Sequence, residues 1–326
     1  MPRRATSREV WLFCAWLACA ATAVTPATAT PTKLAVAKVA NDFALMMVDY
    51  GNALGTFKKQ GLDVEISQIT QAKMIQAVVA GSIDMALASG TTLAYVPKGA
   101  PLTGVAALSG PPSILVLIVR TDGALSAMDQ LHDRTVAVTN IGSLTDWAVS
   151  QIAIGEKWPL SAIKRVAVGD TPARIAALRT GAVDAAVIDI AAALDLEQRG
   201  EAKILINFGD LITTFQNQII YASNKLIETN PDAVRGFLRA WFDTLDFARA
   251  HKAKTVAFAQ KALAVTPAVA ERVYDALLPT GFFSQDGRFD REVLKDMSKA
   301  FLDLRLINQE VNLSQYVTDQ FLPKAQ

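Results

Sequence analysis

Beyond residue 30 this chain of 326 residues contains no cysteine, because Cys14 and Cys19 are its only two. That excludes a disulfide framework, a C-x-x-C redox motif and a cysteine-built zinc site. Histidine is almost as scarce: His132 and His251 are the only ones, and neither forms an H-E-x-x-H pair. There is no G-x-S-x-G elbow, no G-x-x-x-x-G-K-[ST] phosphate loop and no G-x-G-x-x-G turn. No metal, no cofactor and no enzymatic activity are therefore expected, although hydrolysis by paired carboxylates stays open. Lys and Arg number 32 against 31 Asp and Glu, and no basic run interleaves with aromatics, so no nucleic-acid footprint is present. After residue 30 no apolar run is long enough to span a bilayer; the run at 114–119 is only strand-length.

What is there begins with a leader. Arg3, Arg4 and Arg8 precede an apolar stretch over 10–24, and Ala27-Thr28-Ala29 has the A-x-A form of a cleavage site. Residues 1–29 thus read as a secretory signal peptide. Trp16-Leu17-Ala18 before Cys19 is a poor match to a lipidation signal. The remaining chain of about 300 residues is long enough for two domains and must fold on apolar burial alone.

From residue 33 short β-rich runs alternate with helical patterns, the mark of an α/β domain with a mostly parallel sheet. Strands are expected at 34–39, 62–66, 83–88, 102–108 and 114–119, with helices at 43–60 and 70–80. The pattern restarts with strands at 135–139, 163–168 and 183–188 and helices at 125–132, 144–157 and 172–180. After a strand at 216–222 the chain reads as helical to its end, at 231–250, 254–263, 267–278 and 291–304.

The two halves repeat at an offset of one hundred. MIQAVVAGSIDMALASG (74–90) aligns with RIAALRTGAVDAAVIDI (174–190), with Ile75/Ile175, Ala77/Ala177, Gly81/Gly181, Asp84/Asp184 and Ala86/Ala186 identical. Tandem βαβαβ units joined by two crossings, near 113–120 and 210–222, imply a hinged pair of lobes. Lobe 1 is expected over 30–119 and 220–326, with the helical tail packed on it, and lobe 2 over 120–219. Asp84 and Asp184, identical acids inside the G-x-[IV]-D turns, are expected to serve local hydrogen bonding.

In open α/β sheets ligands bind beyond the carboxyl ends of the strands, where helix N-termini offer backbone N–H groups. Such ends here are Asn41, Asp42 and Phe43; Ser89, Gly90 and Thr91; Ser109; Gly142, Ser143 and Thr145; and Asp170. Plain helix capping accounts for any one of them, and for Asp146 and Asp170 it is the default. Asp189 is different, since it replaces Ser89 of the other copy at a strand terminus. An acid facing a cleft built of N–H donors calls for a ligand with an amine, amidine or hydroxyl beside its anionic end. Phe43 and Trp147 are placed to wall such a pocket or to join the core.

GTFKKQGLDVEI, AVVAGSIDMALASG, GVAALSG, LHDRTVAV and ALRTGAVDAAVI, in that order, resemble the solute-binding proteins of ABC importers for sulfonates, nitrate and taurine. That family is similar in fold to pyrimidine-precursor proteins of thiamine metabolism. The resemblance implies a two-lobed type II periplasmic binding clamshell, each lobe a mostly parallel sheet flanked by helices. It implies ligand held between the lobes by 41–43, 89–92, 142–145 and Asp189, and delivery to a membrane permease by a periplasmic monomer. Ile188-Asp189-Ile190 departs from the aromatic-acidic-proline run of many relatives, which leaves the ligand open. Two other readings stand beside transport: a ligand sensor for a signalling partner, and a pyrimidine-precursor-type enzyme, the latter disfavoured by the missing cysteines.

Overall fold

A computed structural model describes residues 30–303 and 305–324 together with Met1. Apart from Met1, the expected leader, with Cys14 and Cys19, lies outside the described residues. The strands are β1 (Thr32–Lys38), β2 (Leu62–Gln68), β3 (Met85–Ser89), β4 (Leu102–Ser109), β5 (Leu115–Arg120), β6 (Thr135–Val138), β7 (Lys164–Ala167), β8 (Ala185–Asp189), β9 (Ala202–Asn207) and β10 (Gln218–Ser223). They form two five-stranded sheets, ordered β2-β1-β3-β10-β4 and β7-β6-β8-β5-β9.

The two sheets are built to one plan. In each, four strands run in one direction and the strand in the fourth position runs against them: β10 between β3 and β4, β5 between β8 and β9. Those antiparallel strands are the two on which the chain enters a sheet from the other lobe. Apolar runs such as Met85-Ala86-Leu87-Ala88 and Leu117-Ile118-Val119 are fully buried, as strands covered on both faces require. The repeat is enforced by the same bond made twice. Asp84 Oδ2 accepts the N–H of Ala35 at 2.9 Å, and Asp184 Oδ2 accepts that of Thr135 at 2.8 Å. Each acid ties the turn before the third strand to the first strand, a structural role as expected, but through a bond to a residue 49 positions away rather than within its own turn.

Three expectations need correction. The strand expected over 114–119, at the end of lobe 1, is Leu115–Arg120, and it pairs with β8 and β9 in the second sheet, so the chain crosses between Ser109 and Leu115. Residues 190–207, where no element was expected, hold the helix Ile190–Gln198 and β9. The helix expected over 43–60 is two, Met46–Leu54 and Thr56–Lys59, because Gly55 takes φ 72° and breaks the ladder.

The helical tail also does more than cover lobe 1. Helix Pro231–Ala250 packs on Met46–Leu54 and Thr56–Lys59. Helix Pro267–Leu277, however, packs on Ile190–Gln198 of the second lobe, where Arg272 pairs with Glu197 at 2.9 Å and Thr266 donates to Gln198 at 2.9 Å. Among the described residues no helix is long and apolar enough to cross a membrane.

Candidate functional site

The carboxyl ends of the central strands gather a polar row in the first lobe. Gln218 begins β10 and sits in register with Ser89 on one side and Ser109 on the other. Its amide donates to Asp42 Oδ2 at 3.1 Å, while Asp42 Oδ1 accepts the N–H of Leu45 at 2.8 Å. Asp42 is buried; its carboxyl is pushed up to about 6, first by burial and further by the charge of Asp189. Ser109 is wholly buried and joins Gln218 (3.3 Å) and Asn217 (3.3 Å) through its hydroxyl.

The second lobe supplies Asp189, at the end of β8, paired in register with Leu115. It caps helix Ile190–Gln198 by accepting the N–H of Ala192 at 3.0 Å. Asp189 is half-buried, and burial raises its carboxyl above the usual range. Arg174 pulls in the opposite direction. Arg174 is not among the expected site residues. Its helix, Thr171–Arg179, starts on the Asp170 cap and turns this guanidinium inward over the strand ends, where it donates to Thr139 Oγ1 and, at 2.9 Å, to Thr171 Oγ1. It is only 5% exposed, and burial brings its guanidinium down to about 10. A signal existed: Met74 holds the equivalent place in the first copy, fully buried, so one repeat buries a thioether where the other buries a charge.

Other expected site residues are placed otherwise. Gly90 does not offer a free N–H, because it donates to the Asn217 carbonyl at 2.8 Å, and a Cβ there would lie 1.9 Å from the Gln216 carbonyl oxygen. Thr91 is fully buried and bonded to Ser89 through the hydroxyls at 2.7 Å. Asn41 is exposed and holds the Ala262 carbonyl of the tail at 2.8 Å. Asp170 is exposed and caps its helix through Ala173 at 3.0 Å.

Phe43 is core, packed against Tyr274 and Phe283 with centroids at 6.5 and 6.4 Å. Trp147 is buried and stacked on Phe215 at 3.9 Å. The loop 142–146 is knotted on itself. Ser143 donates to the Asn140 carbonyl at 2.6 Å, Gly142 donates to Asp146 at 2.9 Å, and Thr145 accepts from the Thr139 N–H at 2.8 Å. Asp146 is paired with Arg165 at 3.0 Å. Among the described residues no group of three or more His, Cys, Asp or Glu could hold a metal ion.

Two repeated α/β lobes, each a five-stranded sheet with helices and linked by crossing strands, define the bilobal periplasmic binding fold. The chain belongs to the NMT1/THI5 like family, whose model matches residues 43–255. The alkanesulfonate-binding protein SsuA of Xanthomonas axonopodis pv. citri, bound to MOPS, has a TM-score of 0.75 at 19% identity, covering 89% of this chain and 99% of that one. The periplasmic aliphatic sulphonate binding protein SsuA of Escherichia coli has a TM-score of 0.72 at 19% identity, covering 88% and 92%. The periplasmic nitrate-binding protein NrtA of Synechocystis PCC 6803 has a TM-score of 0.69 at 14% identity, covering 89% and 87%. At these identities the likeness is one of fold. No curated protein matches the sequence.

Proposed function

We propose that this chain is a periplasmic solute-binding protein that captures a small organic anion or zwitterion between its lobes and hands it, as a monomer, to an ABC import permease. The observation that carries the reading is the pair Asp42 and Asp189. One stands at a strand end of each lobe, and they lie near enough that the charge of Asp189 is felt at Asp42. Two acids in a solvent-poor crevice repel a bare inorganic anion and are compensated by a ligand with N–H donors or an amine. Arg174 beside Asp189 supplies the complementary charge, so the crevice suits a molecule carrying both.

A thermal-shift screen tests this, with alkyl sulfonates, taurine, aromatic carboxylates and aminopyrimidines as probes. A ligand at 100 times its dissociation constant stabilises the fold by about 2.7 kcal/mol, a shift of several degrees. The shift with an amine-bearing probe is expected to vanish in Asp189→Asn and to persist for an anion without an amine. Equal responses in wild type, Asp42→Asn and Asp189→Asn would remove the crevice as the binding site. No response to any probe would count against a small-solute receptor.

A further inference from the structure

We infer that Arg174 is the arm that receives the oxyanion of the ligand, so that the second lobe carries the anionic end and the carboxylates the cationic end of a zwitterion. The inference rests on the solute-binding reading above and deepens it at one residue.

Arginine is seldom buried without a carboxylate in contact, because removing its charge from water costs several kcal/mol. Arg174 is 5% exposed, and among the described residues it has no carboxylate within salt-bridge distance. Two terminal N–H groups go to neutral hydroxyls, those of Thr139 and Thr171. Its Nε is buried with no partner at all. A guanidinium has five N–H groups in a rigid plane, so Nε–H and the second hydrogens of the terminal nitrogens are left for a further acceptor. That unfilled edge has the geometry that matches a planar or tetrahedral oxyanion: carboxylate, sulfonate or phosphonate.

The competing role is a fold support, and the repeat argues against it. Met74 fills the matching place in the first copy at 0% exposure, and the helices Gln71–Val79 and Thr171–Arg179 are of equal length. The fold therefore accepts an apolar side chain there. The neighbouring hydroxyls do not require the arginine either, since Thr139 also accepts from Thr145 Oγ1 at 3.2 Å. Within the aligned segments three positions change charge between the copies, Met74/Arg174, Val79/Arg179 and Ser89/Asp189; Arg179 is exposed and paired with Glu201, which leaves Arg174 and Asp189 as the two under cover.

The test is Arg174→Met, the residue of the twin position, together with Arg174→Lys. Two readouts are taken: the melting temperature of the ligand-free protein, and its shift with methanesulfonate, taurine, benzoate and an aminopyrimidine without an acid group. If Arg174 is the oxyanion arm, ligand-free Arg174→Met melts at or above the wild-type temperature, while its response to sulfonates and carboxylates is lost or weakened at least tenfold. Arg174→Lys, which lacks the planar fork, recovers only part of that response. A drop of several degrees in ligand-free Arg174→Met would make the residue structural and overturn the inference. So would an undiminished oxyanion response in that variant, or a wild type that responds only to the aminopyrimidine; both leave solute binding standing. If the wild type responds to no probe, the solute-binding reading fails, and the ligand-free melting temperatures still decide whether Arg174 supports the fold.

Discussion

Gln218 donates a side-chain hydrogen bond to Asp42 across 3.1 Å, joining the strand on which the chain returns to lobe 1 to the first strand-to-helix turn of that lobe. The contact places a carboxylate at the crossing between lobes and holds it under cover, with consequences that can be measured.

The first is a pH dependence. Asp42 has a carboxyl value of about 6 against an ordinary 3.8, so between those values the folded chain holds a proton that the unfolded chain has lost. Stability from this group therefore falls as pH rises from about 4 to 6, on the order of 3 kcal/mol in all. Asp189 is raised as well and acts in the same direction. Subtracting the Asp42→Asn denaturation curve from that of the wild type isolates the effect. The variant is expected to gain relative stability above pH 6 and to lose that advantage near pH 4. A difference that does not change with pH would mean that Asp42 is not held in a low-dielectric site.

The twin acids make a second prediction. Asp84→Ala and Asp184→Ala each free one backbone N–H from a carboxylate bond of 2.9 or 2.8 Å, and each is expected to cost about 1–3 kcal/mol in urea unfolding. Neither should alter the pattern of ligand responses, since both acids stand at the opening of a strand rather than at its carboxyl end. A binding defect without a stability defect would contradict this role.

Gly90 gives the third. An alanine Cβ would stand 1.9 Å from the Gln216 carbonyl oxygen, a backbone atom that cannot swing aside. Gly90→Ala should cost about 3 kcal/mol or more, read as a loss of melting temperature or of soluble yield. Gly110→Ala, where nothing lies within 4 Å of the added carbon, should stay within about 0.5 kcal/mol and serves as the control. Gly142 is less useful as a probe of binding, because its φ of +80° strains any side chain placed there.

Trp147 gives the fourth. Its ring is stacked on Phe215, but its Nε1 is buried and has no partner. Trp147→Phe keeps much of the stack and removes the unpaired donor, so it should shift stability by less than about 1.5 kcal/mol. Trp147→Ala should cost about 3–5 kcal/mol. Equal losses would show that the indole nitrogen holds a bond that matters.

The sequence by itself determined the βαβαβ order of the two units, the hundred-residue repeat and the structural role of Asp84 and Asp184. These follow from local periodicity, turn glycines and side-chain chemistry, which are written in neighbouring residues. Sheet membership of Leu115–Arg120 was not legible, because an apolar six-residue strand satisfies either sheet and only packing chooses. The same is true of Pro267–Leu277, whose amphipathic pattern does not say which lobe it covers. Gly90 reads as a free donor until the chain at 216–218 folds over it. Arg174 reads as an ordinary helix cation until its helix is docked, and only then does the charge lie under cover with one nitrogen unpaired. Contacts between residues far apart in the chain decided each of these, because burial is a property of the folded whole.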